Sequence, residues 1–284
     1  MNKMVKRISI AVFWTALVVG SFCLLSFTQS KQNATPVNKV VVFVENTEEA
    51  MFIDPPEVKQ LALDHGDRLD GQLWGTVNPY DLERLFNEHP AVEESQVVKH
   101  HNGTVSIRIR QRRPIARLIN AAQEGFYIDQ LGRPMPLFTK STARVPVFSG
   151  AFSASYARTY FRHLATRTTF FDSLSLSKQL LESFFRVAHF IDRSPFWRAQ
   201  IQQIYYDGHK LYAIPLAGEH RIVLGDANRI EEKFAKLMVM YKRGFPLVGW
   251  NRYSEINLEY AGQVVCKKSM SFQTAQEKTK KKKV

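Results

Sequence analysis

Residues 8 to 27, ISIAVFWTALVVGSFCLLSF, run for twenty positions without a charged side chain. An α-helix rises 1.5 Å per residue, so this run reaches about 30 Å, the depth of a bilayer's hydrocarbon core. A chain carrying such a run is expected to cross a membrane once and to fold its remainder on one side. A cleaved signal peptide has a shorter apolar core and small residues at the cut. Here Leu24, Leu25 and Phe27 prolong the core, and bulky Phe22 stands where lipoprotein processing before Cys23 needs a small residue. The segment therefore reads as a retained signal anchor. Lys3, Lys6 and Arg7 precede it and Lys31 follows closely, which places the amino terminus in the cytoplasm. The expected organisation is a cytoplasmic stub (1–7), the anchor (8–28), a polar tether (29–38) and an exported remainder.

The formal charge of +13 invites a nucleic-acid reading, but three positives precede the anchor and a net four sit in 277–283. A net six remains for the body, without a Lys/Arg run or interleaved base-stacking aromatics, so nucleic acid is not an expected partner. Cys23 falls within the anchor and Cys266 near the last strand, so no disulfide framework is expected. Residues 269–284 have the composition of a disordered basic tail.

Beyond the tether, Val40 to Val44 is β-rich, and Asp54 to Leu63 follows as an amphipathic helix. Asn78 is a candidate N-cap with Pro79 at the first helical position, and Leu82, Leu85 and Phe86 form one face before His89-Pro90. Gln96 to His101 and Thr104 to Gln111 flank Asn102-Gly103, a tight-turn signal. Val105, Ile107 and Ile109 alternate with Ser106, Arg108 and Arg110, as in a strand buried on one face. The order is β-α-α-β-β over 39–113.

From 114 to 268 short strands recur at 115–119, 126–128, 202–206, 211–214, 221–224, 256–260 and 264–267. Asp207-Gly208, Ala217-Gly218 and Ala261-Gly262 lie between them, the pattern of an antiparallel meander. Two amphipathic helices interrupt it. One carries Leu176, Leu180, Phe184, Val187 and Ile191, with Ser194-Pro195 at its exit. The other is capped by Asp226, carries Ile230, Phe234, Leu237, Met238 and Tyr241, and closes at Lys242-Arg243-Gly244. The fold class is α+β: one transmembrane helix, then a β-α-α-β-β domain, then a mainly antiparallel β domain with amphipathic helices.

The signatures GxSxG, HExxH, GxxxxGK[ST], GxGxxG and CxxC are absent from the sequence. His100 and His101 are neighbours on a strand and point to opposite faces, which precludes one chelating pair. Asp129 precedes Gln130-Leu131-Gly132 and reads as a turn-stabilising carboxylate. Neither catalytic, cofactor-binding nor metal-ligating residues are expected, and no small-molecule substrate.

His89-Pro90-Ala91-Val92, Gln111-Arg112-Arg113-Pro114-Ile115-Ala116, Tyr127-Ile128-Asp129 with Gly132, and Val145-Pro146-Val147-Phe148-Ser149-Gly150 occur in this order behind the anchor. In that order and spacing they resemble the bacterial cell-division family FtsQ, also called DivIB, whose first exported domain is a POTRA domain. The resemblance implies a non-enzymatic divisome scaffold of the inner membrane, at the septum, that needs no cofactor, binds FtsB- and FtsL-like bitopic proteins, and meets other divisome proteins through its POTRA domain near the membrane. It also implies that the last strand offers an open edge to a partner. The residues at matching positions are Tyr260, Ala261, Gly262, Gln263, Val264, Val265 and Lys267, with Tyr260 the principal candidate for the interface and a core tyrosine its alternative. Residues 151–195 exceed a typical connection and add a helix. The alternatives are a POTRA-type export or assembly factor and an anchored periplasmic hydrolase.

Overall fold

The computed structural model describes residues 12–23, 36–48, 50–66, 69–153 and 178–270. Residues 12–23 are helical with exposed side chains, and the other positions of the expected anchor lie outside the described residues. Among the described residues no helix is long and apolar enough to cross a membrane. The chain divides into two compact units, the first containing 53–111 and the strand before it, the second 48–52 and everything from Arg112 onward.

The first unit has the element order β-α-α-β-β. It comprises β1 (Lys39–Glu45), α1 (Pro55–Asp64), α2 (Pro79–Asn87), β2 (Val92–Lys99) and β3 (Thr104–Gln111). The strands lie in the order β1-β3-β2, with β1 parallel and β2 antiparallel to β3. Each helix starts where a side chain takes an otherwise unpaired backbone N–H: Asp54 accepts from Glu57 N at 2.9 Å and Asn78 from Tyr80 N at 3.2 Å. Alternation in β3 buries Val105, Ile107 and Ile109 completely, as Val58, Leu82 and Phe86 of the helices are buried, and leaves Arg108 and Arg110 exposed. Asn102-Gly103 sits in the β2–β3 turn as expected, with Gly103 at φ +81°. Val37, within the expected tether (29–38), is buried and exchanges backbone bonds with Gln72 and Gly71, so ordered structure begins inside that stretch.

The second unit is built on a nine-stranded sheet, β12-β11-β10-β9-β8-β7-β4-β5-β6. These strands are β4 (Pro114–Ile119), β5 (Gly125–Asp129), β6 (Pro134–Met135), β7 (Val147–Gly150), β8 (Ile201–Tyr206), β9 (Leu211–Pro215), β10 (Arg221–Gly225), β11 (Tyr253–Asn257) and β12 (Val265–Lys268). The expected meander is corrected: β4/β7, β7/β8 and β10/β11 are parallel. Parallel neighbours require crossovers, and the helices taken as interruptions supply two of them. α3 (Lys178–Asp192) and α4 (Pro195–Gln200) lie between β7 and β8. α5 (Ile230–Val239), a π-helical turn (Met240–Gly244) and α6 (Phe245–Val248) lie between β10 and β11. Leu181, Phe184, Val187 and Ile191 of α3 and Ile230, Phe234 and Leu237 of α5 join Ile204, Ala213, Ile222 and Ile256 of the sheet in one core. Leu176 lies outside the described residues.

Three local expectations are also corrected. Asp226 does not cap α5. It accepts from the ammonium of Lys233 at 2.7 Å, because that lysine is 2 % exposed and needs a counter-charge, and Arg229, at φ +51°, occupies the cap position. Lys242-Arg243-Gly244 does not end the helical run but belongs to the π-helical turn leading into α6. The strand expected at 256–260 is formed by 253–257, since Asn257 Oδ1 accepts from Glu259 N at 2.8 Å and turns the chain.

Asp129 is the turn-stabilising carboxylate the sequence suggests, and more. It is 1 % exposed and accepts from the N–H of Leu131 and Arg133 and from Nε of both Arg112, at 2.8 Å, and Arg133, at 2.9 Å. The neighbouring Arg113 makes a two-pronged ion pair with Asp192 at the end of α3, at 2.7 and 2.6 Å.

Candidate partner-binding edge

A sheet offers itself to another chain only where backbone groups of an outer strand are unpaired and unobstructed. In the second unit the two outer strands are β6 and β12. β6 is two residues long and begins with Pro134, which has no N–H to give. In the first unit β1 and β2 are the outer strands, and β2 is obstructed by side chains of α2. Asn87 Oδ1 accepts from Ser95 N at 2.8 Å, and Glu83 Oε1 accepts from Val97 N at 2.7 Å. β12 carries no such obstruction among the described residues. It pairs antiparallel with β11 on one side, Val265 opposite Asn257, Cys266 opposite Ile256 and Lys267 opposite Glu255.

Strand alternation gives β12 two different faces. Cys266 is half-buried against the core, and burial pushes its thiol pKa up, keeping it protonated. Val265, 46 % exposed, and Lys267 stand on the other face. Of the residues expected to pair with a partner, Val265 and Lys267 therefore lie in the outer strand, whereas Gln263 and Val264 precede it.

Tyr260, Ala261 and Gly262 form the connection from β11, Gly262 at φ +70°, and Tyr260 is 50 % exposed. Three charged residues at one-turn and two-turn spacing along α5 hold this connection. Lys236 Nζ donates to the carbonyls of Leu258 at 3.2 Å and Tyr260 at 2.5 Å. Arg229 donates to the Glu259 carbonyl, and Glu232 Oε1 accepts from Gly262 N at 3.4 Å. That N–H, with Arg229 and Lys236 nearby, lowers the Glu232 carboxyl pKa. Lys210 adds a bond to Glu259 at 3.0 Å and lowers its pKa likewise. The connection is fixed before any partner arrives, with the Tyr260 ring outside.

Sequence reasoning named the terminal strand and Tyr260 but missed this clamp and the blocked β2 edge. Its reading of α5 followed the apolar stripe, while Arg229, Glu232 and Lys236 occupy the other face at i, i+3 and i+7, a spacing that was available. His100 and His101 come near no metal-binding constellation, and among the described residues no group of three His, Cys, Asp or Glu could hold a metal ion.

A family model described as FtsQ/DivIB, C-terminal related, matches residues 113–267. A second, described as a POTRA-like domain, matches residues 36–110. No curated protein matches the chain.

Proposed function

The chain belongs to the FtsQ/DivIB family of cell-division proteins, whose C-terminal model covers more than half of it, and from that premise we propose that it is a non-enzymatic scaffold of the divisome. It recruits FtsB- and FtsL-like bitopic proteins by strand addition at β12 and so helps to position septal peptidoglycan synthesis. The charge-free run 8–27 and the cations before it support a single-pass placement in the inner membrane with both folded units outside the cytoplasm.

The observation that carries this reading is the unobstructed β12 edge beside a clamped, exposed Tyr260. Strand addition gives affinity through main-chain bonds and choice through side chains at alternate positions, here Val265 and Lys267. A half-exposed tyrosine whose backbone is already fixed buries a large ring at little further entropic cost, the property of a binding hot spot.

The test is binding of the full-length chain, in detergent micelles, to a soluble FtsB–FtsL heterodimer. Tyr260→Ala is expected to weaken binding by at least about thirtyfold, a hot-spot loss, with an unchanged unfolding midpoint. Lys267→Glu is expected to weaken it when the partner strand is acidic. Wild-type affinity in both variants would remove the edge as the docking site.

A further inference from the structure

The far end of β12 does not stop at open solvent. Ser269 N donates to the Arg252 carbonyl at 2.9 Å and Ser269 Oγ to the Asn251 carbonyl at 2.9 Å, so the strand's exit is tied to the loop that follows α6. That loop carries Trp250, 39 % exposed, whose ring stacks on Phe245 at 4.8 Å and on Tyr241 at 5.3 Å. Leu247, in α6, is 86 % exposed, and Leu216, in the β9–β10 turn, 60 %. The turn adjoins the tryptophan, since a Cβ on Gly218 would lie 3.7 Å from Trp250 Cε3. The loop thus holds a part-exposed tryptophan on a buried aromatic floor, with one exposed leucine three residues before it and another two residues before Gly218, the kind of apolar exposure proteins keep for contacts.

The charges carried by these segments are mostly positive. The stretch 240–254 holds Lys242, Arg243 and Arg252 and no Asp or Glu, and β12 adds Lys267 and Lys268. Glu219 in the β9–β10 turn stands against five cations, and Glu255 is already paired with Arg221 at 2.6 Å.

We infer that Leu216, Leu247 and Trp250 form a second docking surface, continuous with β12, for an apolar segment flanked by acidic residues in the same partner chain that adds its strand to that edge. The apolar side chains of the segment cover the two leucines and the indole, and its carboxylates face Lys242, Arg243 and Arg252. This inference rests on the strand-addition reading and extends it: the strand supplies main-chain bonds, and the flanking segment supplies apolar area and charge selection.

The experiment uses the full-length chain in detergent micelles, titrated with the soluble FtsB–FtsL heterodimer at low and high salt, beside Leu247→Ser, Leu216→Ser and Tyr260→Ala. Both leucines are exposed, so their variants are expected to fold as the parent does, and identical unfolding midpoints check this. Each leucine variant is expected to weaken binding about tenfold, the loss of one buried leucine side chain. Lys242→Glu with Arg243→Glu is expected to weaken it further, with a shallower salt dependence. If Tyr260→Ala weakens binding while the leucine and charge-reversal variants bind as the parent does, the second surface is overturned and the edge reading stands. If the leucine variants weaken binding and Tyr260→Ala does not, the patch acts apart from β12 and the continuous site is overturned. Absence of parental binding overturns the edge reading and this inference with it.

Discussion

His220 gives the structure a pH signature that can be read quantitatively. The imidazole is 2 % exposed, packed on Phe245 at 5.0 Å, with Nε2 3.3 Å from the Tyr241 hydroxyl and no partner for Nδ1 among the described residues. Burial lowers its pKa from 6.5 to about 4 and raises that of the neighbouring tyrosine to about 12, so both groups are neutral across the physiological range. Between the two histidine values the unfolded chain binds a proton that the folded chain refuses. Stability from this residue is therefore complete above pH 6.5 and falls as the pH drops toward 4. With those values the loss is about 2 kcal/mol at pH 5 and about 3 kcal/mol at pH 4. The perturbation is His220→Phe, which fills a similar volume without a titrating group, while Gln200 still bonds the Tyr241 hydroxyl. Urea unfolding followed by tryptophan fluorescence at pH 7, 6, 5 and 4 gives the difference between parent and variant, in which the carboxylates common to both cancel. That difference should move in favour of the variant by about 2 kcal/mol between pH 7 and 5. A pH-independent difference would refute the reasoning, because it would mean that the folded protein protonates His220 as readily as the unfolded chain does.

Asp129→Ala should destabilise the second unit by about 3 to 5 kcal/mol in urea denaturation, since it removes the buried carboxylate that pairs with the buried Arg112 guanidinium and with Arg133; an effect below about 1 kcal/mol would show the cluster to be dispensable. Gly150→Ala should prevent soluble folding, because Gly150 is at φ +129° and an added Cβ would overlap the Tyr206 carbonyl oxygen in the β7–β8 pair; recovery of folded protein by circular dichroism decides it.

What the sequence made legible followed from period and punctuation. The alternation of β3 and the Asn78-Pro79 helix start signal their structures within a few residues, and the first unit's element order follows from them. The second unit's strands were visible one by one, but their neighbours were not, because pairing is decided by what the intervening segment can cross. Two Gly-bearing turns that do join hairpins, at 208 and 218, resemble in composition the strand exits that lead into crossovers. β6 and β7 carry too few residues to show a period. At the candidate site the exposed tyrosine and terminal strand were legible through resemblance. The clamp from α5 and the tie from Ser269 to Asn251 and Arg252 were not, since both depend on contacts between carbonyl groups and side chains distant along the chain.

The order of strands carries a consequence for when this surface can exist. β12 rests on β11, β11 rests on β10 through a parallel pairing, and that pairing needs the whole run from Ile230 to Val248 to be folded and laid across the sheet. The clamp on Tyr260 comes from the same helical run. A chain halted before its final strand, or one whose crossover has misfolded, would present neither the edge nor the tyrosine in place. A partner reading this surface would thereby be testing the completeness of the whole second unit, and assembly would begin only on finished molecules.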